Sequence, residues 1–449
     1  MTDVTGTAPG AAREQAPRSV RSLLAALDLD TRMIGMIGAL AVIWIGFHIV
    51  SGLSGAQHDP FAGKFLIPQN LYNLSQQSVS VGIMATGMVL IIVSRNIDLS
   101  IGSILGLTGY TMAMVQAVWI PTTLKLGWDQ PYTWIIALVI GIALGAVIGG
   151  IQGFLIAYGR IPAFIVTLGG LLVWRGLVFE LQQGQTIAPL DSTFQKLGGS
   201  PLASLGDTWS WVLAAVASVA LAYWMISGRR KRAQYGFPVR PMWATVALIV
   251  LGSVAVFGFA WVMNSYPWPS GLATQYAKEH GITEPAGGLQ IATGIPFPVV
   301  ILIAVTLGMA YLATRRKFGR YVFSIGGNPD AAELGGINVR RITMMTFVLI
   351  GALAGLAGAV QIGRLQSATT SLGTQAELDV IAAAVIGGTS FSGGIGTIPG
   401  AVLGAVVMQS LRSGMQLLNL SSPIQDIVVG VVLVAAIGFD TFVQRRSSK

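Results

Sequence analysis

The chain has no cysteine among its 449 residues and only three histidines, His48, His58 and His280. The absence of cysteine excludes disulfides, thiolate metal sites and cysteine nucleophiles. The histidines are too far apart in the sequence to suggest a metal cluster. We therefore expect no metal site and no catalytic centre built from these side chains.

Charged residues are also scarce, at 10% of the chain, whereas soluble domains carry about a quarter. Hydrophobic residues make up 53%, and the mean hydropathy is +0.69. The net charge of +9 comes from basic residues in short clusters beside apolar segments, not from a basic folded surface of the kind that binds nucleic acid. We therefore expect an integral membrane protein whose surroundings are the lipid bilayer, with no nucleic-acid partner.

Sequence motifs of common catalytic sites are missing as well. The chain contains no HExxH, no GxSxG nucleophile elbow and no GxxxxGK[ST] phosphate loop. Without that loop the chain is not expected to hydrolyse ATP by itself, so active transport would need a partner or an ion gradient. We assign no cofactor and no catalytic residue to this chain.

Long apolar segments fill most of the remaining sequence. A membrane span needs roughly 20 mostly apolar residues, and that criterion gives candidates at 33–52, 71–94, 99–118, 133–157, 162–181, 209–227, 242–264, 296–314, 342–362, 378–390, 397–416 and 423–443. The segment 378–390 is too short to be a full span. We predict an all-α polytopic membrane protein with about 10 to 12 transmembrane helices.

Lysine and arginine concentrate in four clusters, one before the first candidate span and the others at residues 229–240, 315–341 and 445–449. All four fall on one side if the span count is right, and the positive-inside rule makes that side cytoplasmic. Both termini are then cytoplasmic. The predicted domains are a disordered tail at 1–32, a membrane domain at 33–443 and a short basic tail at 444–449.

Glycine is abundant, with 57 residues, and concentrates in GIALGAVIGGIQG from Gly141 and GALAGLAGAVQIG from Gly351. Small residues four apart let helix backbones approach closely in lipid, so close packing is the first interpretation. GIALGAV also resembles GAVLGAV at Gly400, and Pro162 and Pro423 follow them at the next helix starts. The two helices run in opposite directions in our topology, as an inverted repeat requires. Chance recurrence is the alternative.

Ionisable residues inside a span are functional candidates because burying them in lipid is costly. Arg175 lies in the apolar segment LLVWRGLVFELQQG, with Glu180 five residues further on. That spacing is not the best one for a helical pair. We expect a structural ion pair or a glutamate that reaches the outer interface, with a substrate contact as the alternative.

Two polar segments interrupt the apolar pattern. In SRNIDLSIGS, residues 94–103, Asp98 is suited to cap the next helix, and a broken helix along the translocation route is the alternative. Four glycines and three hydroxyl residues interrupt 377–402. Non-helical backbone at membrane depth needs protein or a water-filled cavity around it, so this predicts a re-entrant element or a cytoplasmic turn. Our candidate pathway residues are Asp98, Ser100, Gly387, Gly388, Thr389, Ser390, Ser392, Gly393 and Gly394.

Several long motifs occur in a recognisable order: SRNIDLSIGSILGLTG, GRIPAFIVTLGGLLVWRGL, FGRYVFSIGGNPDAAELGGINVRRI, GALAGLAGAVQIGRLQSAT, ELDVIAAAVIGGTSFSGGIGTIPGAVLGAVV and LNLSSPIQDIVVGVVLVAA. Together they resemble the permease subunits of bacterial ABC importers for monosaccharides. Residues 228–293 insert an extra span and an outer loop that shorter ribose-type permeases lack. That insertion resembles the longer xylose-type branch.

The resemblance implies a permease of the bacterial inner membrane that carries a neutral monosaccharide such as D-xylose. It implies three partners: an ABC ATPase that binds ATP and Mg²⁺, an extracytoplasmic sugar-binding protein and a second permease copy in a homodimer. An ion-coupled secondary transporter of a small polar solute is the alternative function. A membrane-embedded enzyme would need catalytic side chains at one depth, and the sequence shows no such cluster.

The resemblance also implies a cytoplasmic coupling helix in SIGGNPDAAELGGINVRRI, residues 324–342. Local chemistry agrees: GGN favours a turn, Asn328 is suited to cap a helix that starts at Pro329, and Gly335 and Gly336 are suited to stop it. A plain surface loop is the alternative. The residues implied for coupling to the ATPase are Gly326, Gly327, Asn328, Asp330, Glu333, Gly335, Gly336, Ile337 and Arg340.

Overall fold

A computed structural model describes residues 31–55, 58–199, 203–283, 285 and 288–447. This part of the chain is built from α-helices, with isolated β-bridges but no strands. Most of the predicted N-terminal tail lies outside the described residues. The all-α prediction is therefore confirmed for the part that the structure describes.

The first eight helices are α1 (Thr31–Leu53), α2 (Pro68–Val93), α3 (Ile101–Met114), α4 (Thr133–Ala157), α5 (Ala163–Gln182), α6 (Ser192–Gln195), α7 (Gly206–Gln234) and α8 (Met242–Asn264). The others are α9 (Ser270–Glu279), α10 (Phe297–Arg315), α11 (Lys317–Gly327), α12 (Pro329–Leu334), α13 (Val339–Leu365), α14 (Ala376–Ile386), α15 (Ile398–Leu417) and α16 (Ser422–Ser447). A π-helical segment, Val115–Thr123, extends α3 and contains Pro121, which has no N–H to continue α-helical bonding.

Nine of the described helices are long and apolar enough to cross a membrane. The predicted span at 378–390 is the 11-residue helix α14, and α16 contributes a shorter apolar stretch, Ser422–Gly438. Helices α2 and α3 are buried almost throughout, whereas α1 and α5 expose large apolar side chains. This pattern is that of a bundle whose central helices contact protein and whose outer helices are suited to contact lipid.

The two glycine-rich segments noted in the sequence pack against each other. A Cβ atom on Gly145 would lie 2.1 Å from the Gly351 carbonyl oxygen, and one on Gly351 would lie 2.1 Å from the Gly145 oxygen. Gly141 meets Gly355 further along, so α4 and α13 are antiparallel. Larger side chains would separate these backbones, which confirms close packing as the role of the glycines.

The second half of the bundle repeats the contacts of the first. If α2, α3, α4 and α5 are matched with α13, α14, α15 and α16, each contact in one half has its equivalent in the other. Thus α13 packs on α4 and α3 as α2 packs on α15 and α14, and α3 contacts α4 and α5 as α14 contacts α15 and α16. This equivalence agrees with the inverted repeat that the sequence suggested.

The predicted insertion at 228–293 contains the end of α7, the helix α8 and the short helix α9. Residues 213–257 form one compact unit and the rest of the described chain a second. At the C-terminus, α16 continues as a helix to Ser447, so the proposed basic tail at 444–449 does not begin as a separate segment. Likewise α1 starts at Thr31, inside the stretch predicted as a disordered tail.

Candidate functional site

Two non-helical segments lie inside the bundle, one in each half. The first break, residues 94–100, joins α2 to α3, and the second break, residues 366–375, joins α13 to α14. The second break meets the first turn of α3, directly after the first break, at two glycines: a Cβ on Gly373 would lie 2.1 Å from the Gly102 oxygen, and one on Gly102 would lie 2.5 Å from the Gly373 oxygen. Gly373 also has a positive φ of 71°, which favours glycine.

Short neutral side chains and one carboxyl group hold the first break. Asp98 Oδ1 accepts hydrogen bonds from the Ser100 N–H at 2.8 Å and from Ser100 Oγ at 2.6 Å. The Gln152 side chain, on α4, donates to Ser100 Oγ at 2.9 Å. Asp98 and Ser100 have no exposed surface. The predicted cap by Asp98 is therefore wrong: Ser100 is the N-cap of α3 and no side-chain hydrogen bond caps this helix, whereas Asp98 closes a turn directly before it.

One arginine donates side-chain hydrogen bonds to the second break, in which Ala368 also exchanges two backbone hydrogen bonds with Ile187. Arg175 Nη1 donates to the Leu372 carbonyl at 3.0 Å and to Thr374 Oγ1 at 2.7 Å, and Nη2 donates to the Gly373 carbonyl at 3.2 Å. The predicted pairing with Glu180 is wrong, because the side chain of Glu180 lies exposed and Arg175 turns to the break instead. A guanidinium has five N–H donors, which makes it suited to several acceptors of a non-helical backbone.

The second break forms part of the wall of a cavity of about 310 Å³. The rest of the wall comes from α2, α3, α13, α14 and α15. Four glutamines contribute to it: Gln77, Gln361, Gln409 and Gln416. Ser80 also lines the cavity and donates a hydrogen bond to Gln361 Oε1 at 3.0 Å. Neutral donors and acceptors thus make up much of the polar lining.

An ion pair lies in the same wall. Arg412 Nε is 2.7 Å from Asp379 Oδ2, and Arg412 Nη2 donates to Asp379 Oδ1 at 2.9 Å, so the contact is bidentate. Asp426 extends the cluster, with its Oδ1 3.9 Å from Arg412 Nη1 and its Oδ2 bonded to the Gln375 side chain. These contacts tie the second break, α14, α15 and α16 together. Sequence reasoning missed this pair, because 33 positions separate its members.

The predicted pathway glycines lie away from this cavity. Residues 387–397 form the turn between α14 and α15, and the Gly394 N–H donates to the Val93 carbonyl at 3.0 Å, at the end of α2. Arg95 contacts the same region, with Nε and Nη2 donating to the Gly326 and Gly327 carbonyls, each at 2.8 Å. The structure therefore brings the predicted pathway turn next to the predicted coupling segment. Its place in a translocation pathway stays a prediction.

The coupling segment has the local structure that its sequence predicts, except for the turn at GGN. Gly326 and Gly327 close helix α11, and Asn328 is the extended residue after it. Asn328 Oδ1 accepts from the Ala331 N–H at 3.1 Å, which caps α12. A Cβ on Gly326 would lie 1.8 Å from the Val93 oxygen, so packing rather than a turn requires this glycine.

The end of α12 carries a side chain that sequence reasoning overlooked. Leu334 is 90% exposed, and it follows the residues Asp330 and Glu333 on a helix of only six residues. An exposed leucine at the end of a helix offers apolar area that a binding partner can bury. The sequence could have indicated Leu334, because it is an apolar residue at the end of a polar helix, directly before two glycines.

Two carboxyl groups outside the spans form a linked pair. The Ser192 N–H donates to Asp129 Oδ1 at 2.7 Å, and this bond is the main reason that the pKa of Asp129 lies below its ordinary value. Asp191 is buried, which raises its pKa, and its Oδ1 accepts from the Phe194 N–H at 2.8 Å as the cap of α6. The pair fastens the loop after α3 to the loop after α5.

Comparisons with known proteins agree with this architecture. The family model described as the permease component of branched-chain amino acid transport systems matches residues 70–233 and 231–437. The chain therefore belongs to this family of membrane permeases, and it is a multi-pass transport subunit rather than an enzyme. No solved structure gives a significant match to the chain.

Three individual relatives show which kinds of permease the chain is similar to. The xylose transport system permease protein of Escherichia coli (strain K12) is 37% identical over 421 residues, 94% of each chain. The protein of the same description from Haemophilus influenzae is 34% identical over 406 residues, 90% of this chain and 95% of the relative. The ribose import permease protein of E. coli (strain K12) is 31% identical over 377 residues, 84% of this chain and 87% of the relative. The resemblance to sugar permeases, including the longer xylose-type branch, is confirmed.

Proposed function

We propose that this chain is the permease subunit of an ATP-driven importer for neutral monosaccharides, with D-xylose as the first substrate to test. The similarity to xylose permeases along 94% of both chains carries the proposal. ATP and Mg²⁺ are held by a separate ATPase, and a sugar-binding protein delivers the substrate.

The cavity supports a neutral hydroxylated substrate. A sugar loses hydrogen bonds to water when it enters a membrane protein, so the path must replace them. Amides and hydroxyls do this without attracting ions, and Gln77, Gln361, Gln409 and Ser80 supply them here. The carboxylate of Asp379 is already neutralised by its own ion pair, so the cavity does not offer a free anion to a cationic solute.

The segment from Arg316 to α12 supports energy coupling. Leu334 is exposed at the end of the short helix α12, and Arg95, Gly326 and Gly394 join the start of this segment to the turn between α14 and α15. In this proposal the ATPase binds α12, both termini lie on the same cytoplasmic side as α12, and a second copy of the chain completes the pore.

A substrate panel tests the transport function. The chain is co-produced with its native ATPase and binding protein and reconstituted in proteoliposomes. ATP-dependent uptake is then measured for D-xylose, D-ribose, D-galactose and L-leucine. Uptake of a monosaccharide that needs ATP and resists collapse of ion gradients supports the proposal. Uptake of leucine alone, as the family model's description allows, or uptake driven by an ion gradient without the ATPase, contradicts it.

Docking at α12 has its own test. Leu334→Asp is expected to lower co-purification of the ATPase and sugar-stimulated ATP hydrolysis by about tenfold, because it removes an apolar contact and buries a charge in the interface. Phe61→Asp is the matched control, since Phe61 is 89% exposed but lies between α1 and α2. Equal ATPase binding by the Leu334 variant would rule out docking at this residue.

A further inference from the structure

We propose that Arg95 is a positioning residue that transmits movement of the ATPase from helix α12 to the turn between α14 and α15. This inference rests on the proposed function and adds the residue through which the energy of ATP reaches the permease. Arg95 binds neither the sugar nor the ATPase in this proposal. Its side chain keeps the coupling segment and the turn together, so that they move as one unit.

Three segments of the chain meet at Arg95: the end of α2, the end of α11 and the turn at residues 387–397. The Arg95 side chain donates from Nε to the Gly326 carbonyl and from Nη2 to the Gly327 carbonyl, each at 2.8 Å. The same side chain packs on Gly393 of the turn, where a Cβ atom would lie 2.6 Å from Arg95 Cγ. One arginine therefore links the end of α11 to the turn.

Backbone contacts fasten the remaining sides of this junction. The Gly394 N–H donates to the Val93 carbonyl at 3.0 Å. A Cβ atom on Gly326 would lie 2.5 Å from the Gly394 nitrogen, and one on Gly393 would lie 2.6 Å from the Gly326 oxygen. Segments that are packed so closely transmit strain, because there is no free space to absorb a shift. We therefore expect a shift of α11 to displace the turn.

The junction lies between the two ends of the proposed energy path. Asn328, the cap of α12, directly follows Gly327, so a movement of α12 acts on the carbonyls that Arg95 holds. On the other side, the turn begins where α14 ends, and the second break lies at the start of this 11-residue helix. Packed elements and hydrogen bonds can carry coupling between distant sites. The path from α12 to the second break then runs through Arg95, the turn and α14.

The backbone of Arg95 also indicates a role for its side chain. Its φ is 63°, in the left-handed region that glycine adopts without steric cost and other residues seldom adopt. Arg95 is exposed, so burial of apolar area does not explain a long side chain at this position. Its two hydrogen bonds to carbonyls 231 and 232 positions away do explain it, because a charged donor makes such bonds stronger.

Exchange of Arg95 for glycine tests the transmission in the assembled importer. Arg95→Gly removes both donors and suits the positive φ, so backbone strain cannot cause a loss of function. Arg160→Gly is the matched control. Arg160 is exposed, has a φ of 56° and lies in the loop between α4 and α5, and its side chain makes no hydrogen bond to any described residue.

The number of ATP molecules hydrolysed per D-xylose taken up is measured in proteoliposomes, together with co-purification of the ATPase and the melting temperature. We expect Arg95→Gly to raise this ratio about tenfold, the effect of one lost charged hydrogen bond, while the ATPase stays bound and the melting temperature does not fall. Arg160→Gly should leave the ratio unchanged. Arg95→Lys keeps the charge but offers one ammonium group to two carbonyls, so we expect an intermediate ratio.

The lysine variant also serves if the glycine variant does not assemble. An unchanged ratio in the Arg95 variants overturns the inference and leaves the proposed function intact. Loss of ATPase binding overturns it as well, because Arg95 would then belong to the docking contact. An importer with the parent chain that takes up no monosaccharide overturns the proposed function itself.

Discussion

The two breaks in the bundle solve the same problem with different chemistry. Each exposes backbone groups that no helix satisfies, at positions related by the internal repeat. In the first break Asp98 accepts hydrogen bonds from Ser100 within the break, and Gln152 of the neighbouring helix α4 donates to Ser100; all three side chains are buried. The second depends on Arg175 from a neighbouring helix, and its other face lines a cavity.

This difference shows how one fold can combine a fixed and an adaptable element. Short buried side chains have few alternative geometries in a close-packed interior, although Asp98 Oδ2 has no hydrogen-bond partner among the described residues. A long guanidinium can keep its hydrogen bonds while the backbone it contacts shifts. We therefore expect the first break to act as a rigid support and the second to respond to the substrate.

The largest effect is expected where the second break meets the start of α3. Gly373→Ala places a Cβ against the Gly102 carbonyl and requires a positive φ from alanine. We expect the free energy of unfolding to fall by about 2–4 kcal/mol, with little folded importer recovered, as measured by thermal unfolding in detergent. Gly336→Ala is the control, since Gly336 has a similar φ of 80° but open space around it. Equal losses in both variants would show that φ alone matters and that the contact between the second break and the start of α3 does not.

The next largest effect is expected on removing the side chain that holds the second break. Arg175→Leu removes the donor to three acceptors of the second break, and we expect a loss of about 2–3 kcal/mol of stability together with most of the uptake. Glu180→Gln, on the same helix, should change neither. If Glu180→Gln lowers uptake, this result would instead support the ion pair between Arg175 and Glu180 that the sequence suggested.

A smaller effect is expected at the first break. Gln152→Leu removes one donor to Ser100 and leaves the Asp98 bonds in place. Its cost should be about 1–2 kcal/mol, with the uptake rate of the remaining folded importer unchanged. Melting temperature and uptake are measured on the same preparation. If this variant loses uptake more than stability, the first break is not a passive support and the comparison fails.

The smallest effect is expected outside both breaks, at Asp191. Burial raises its pKa above the ordinary value of 3.8, so just above that pH the folded protein binds a proton that the unfolded chain has lost, and stability falls as the pH rises. Asp191→Asn keeps an oxygen for the Phe194 N–H and carries no charge. Its melting temperature should equal that of the parent near pH 4 and exceed it by an amount that grows toward about pH 7, worth less than about 1 kcal/mol. A constant difference across this range would contradict burial as the cause.

The sequence predicted the elements that depend on local chemistry. Asn328, Pro329 and Gly335 define α12 because capping acts within one turn of the chain. The apolar segments gave the long helices, because length and hydropathy alone decide whether a segment suits a membrane. The glycine motifs of α4 and α13 were correctly assigned to packing, although the sequence did not show that they pack on each other.

Partners distant in the sequence could not be predicted. Arg175 contacts Leu372, which is 197 positions away, instead of its neighbour Glu180. Arg364 and Arg412 look alike in the sequence, yet one has no partner in the described chain and the other is paired with Asp379. Nothing local to these arginines decides which segment will lie beside them.

The sequence by itself thus determined an all-helical membrane protein, the first break and the ends of its exposed short helix, but not the second break at residues 366–375. Only the tertiary structure decided what satisfies each break and where a polar cavity forms. The physical reason is the membrane environment. Apolar length acts on each segment separately, but a polar group inside the bundle must find its partner on whichever helix packs against it.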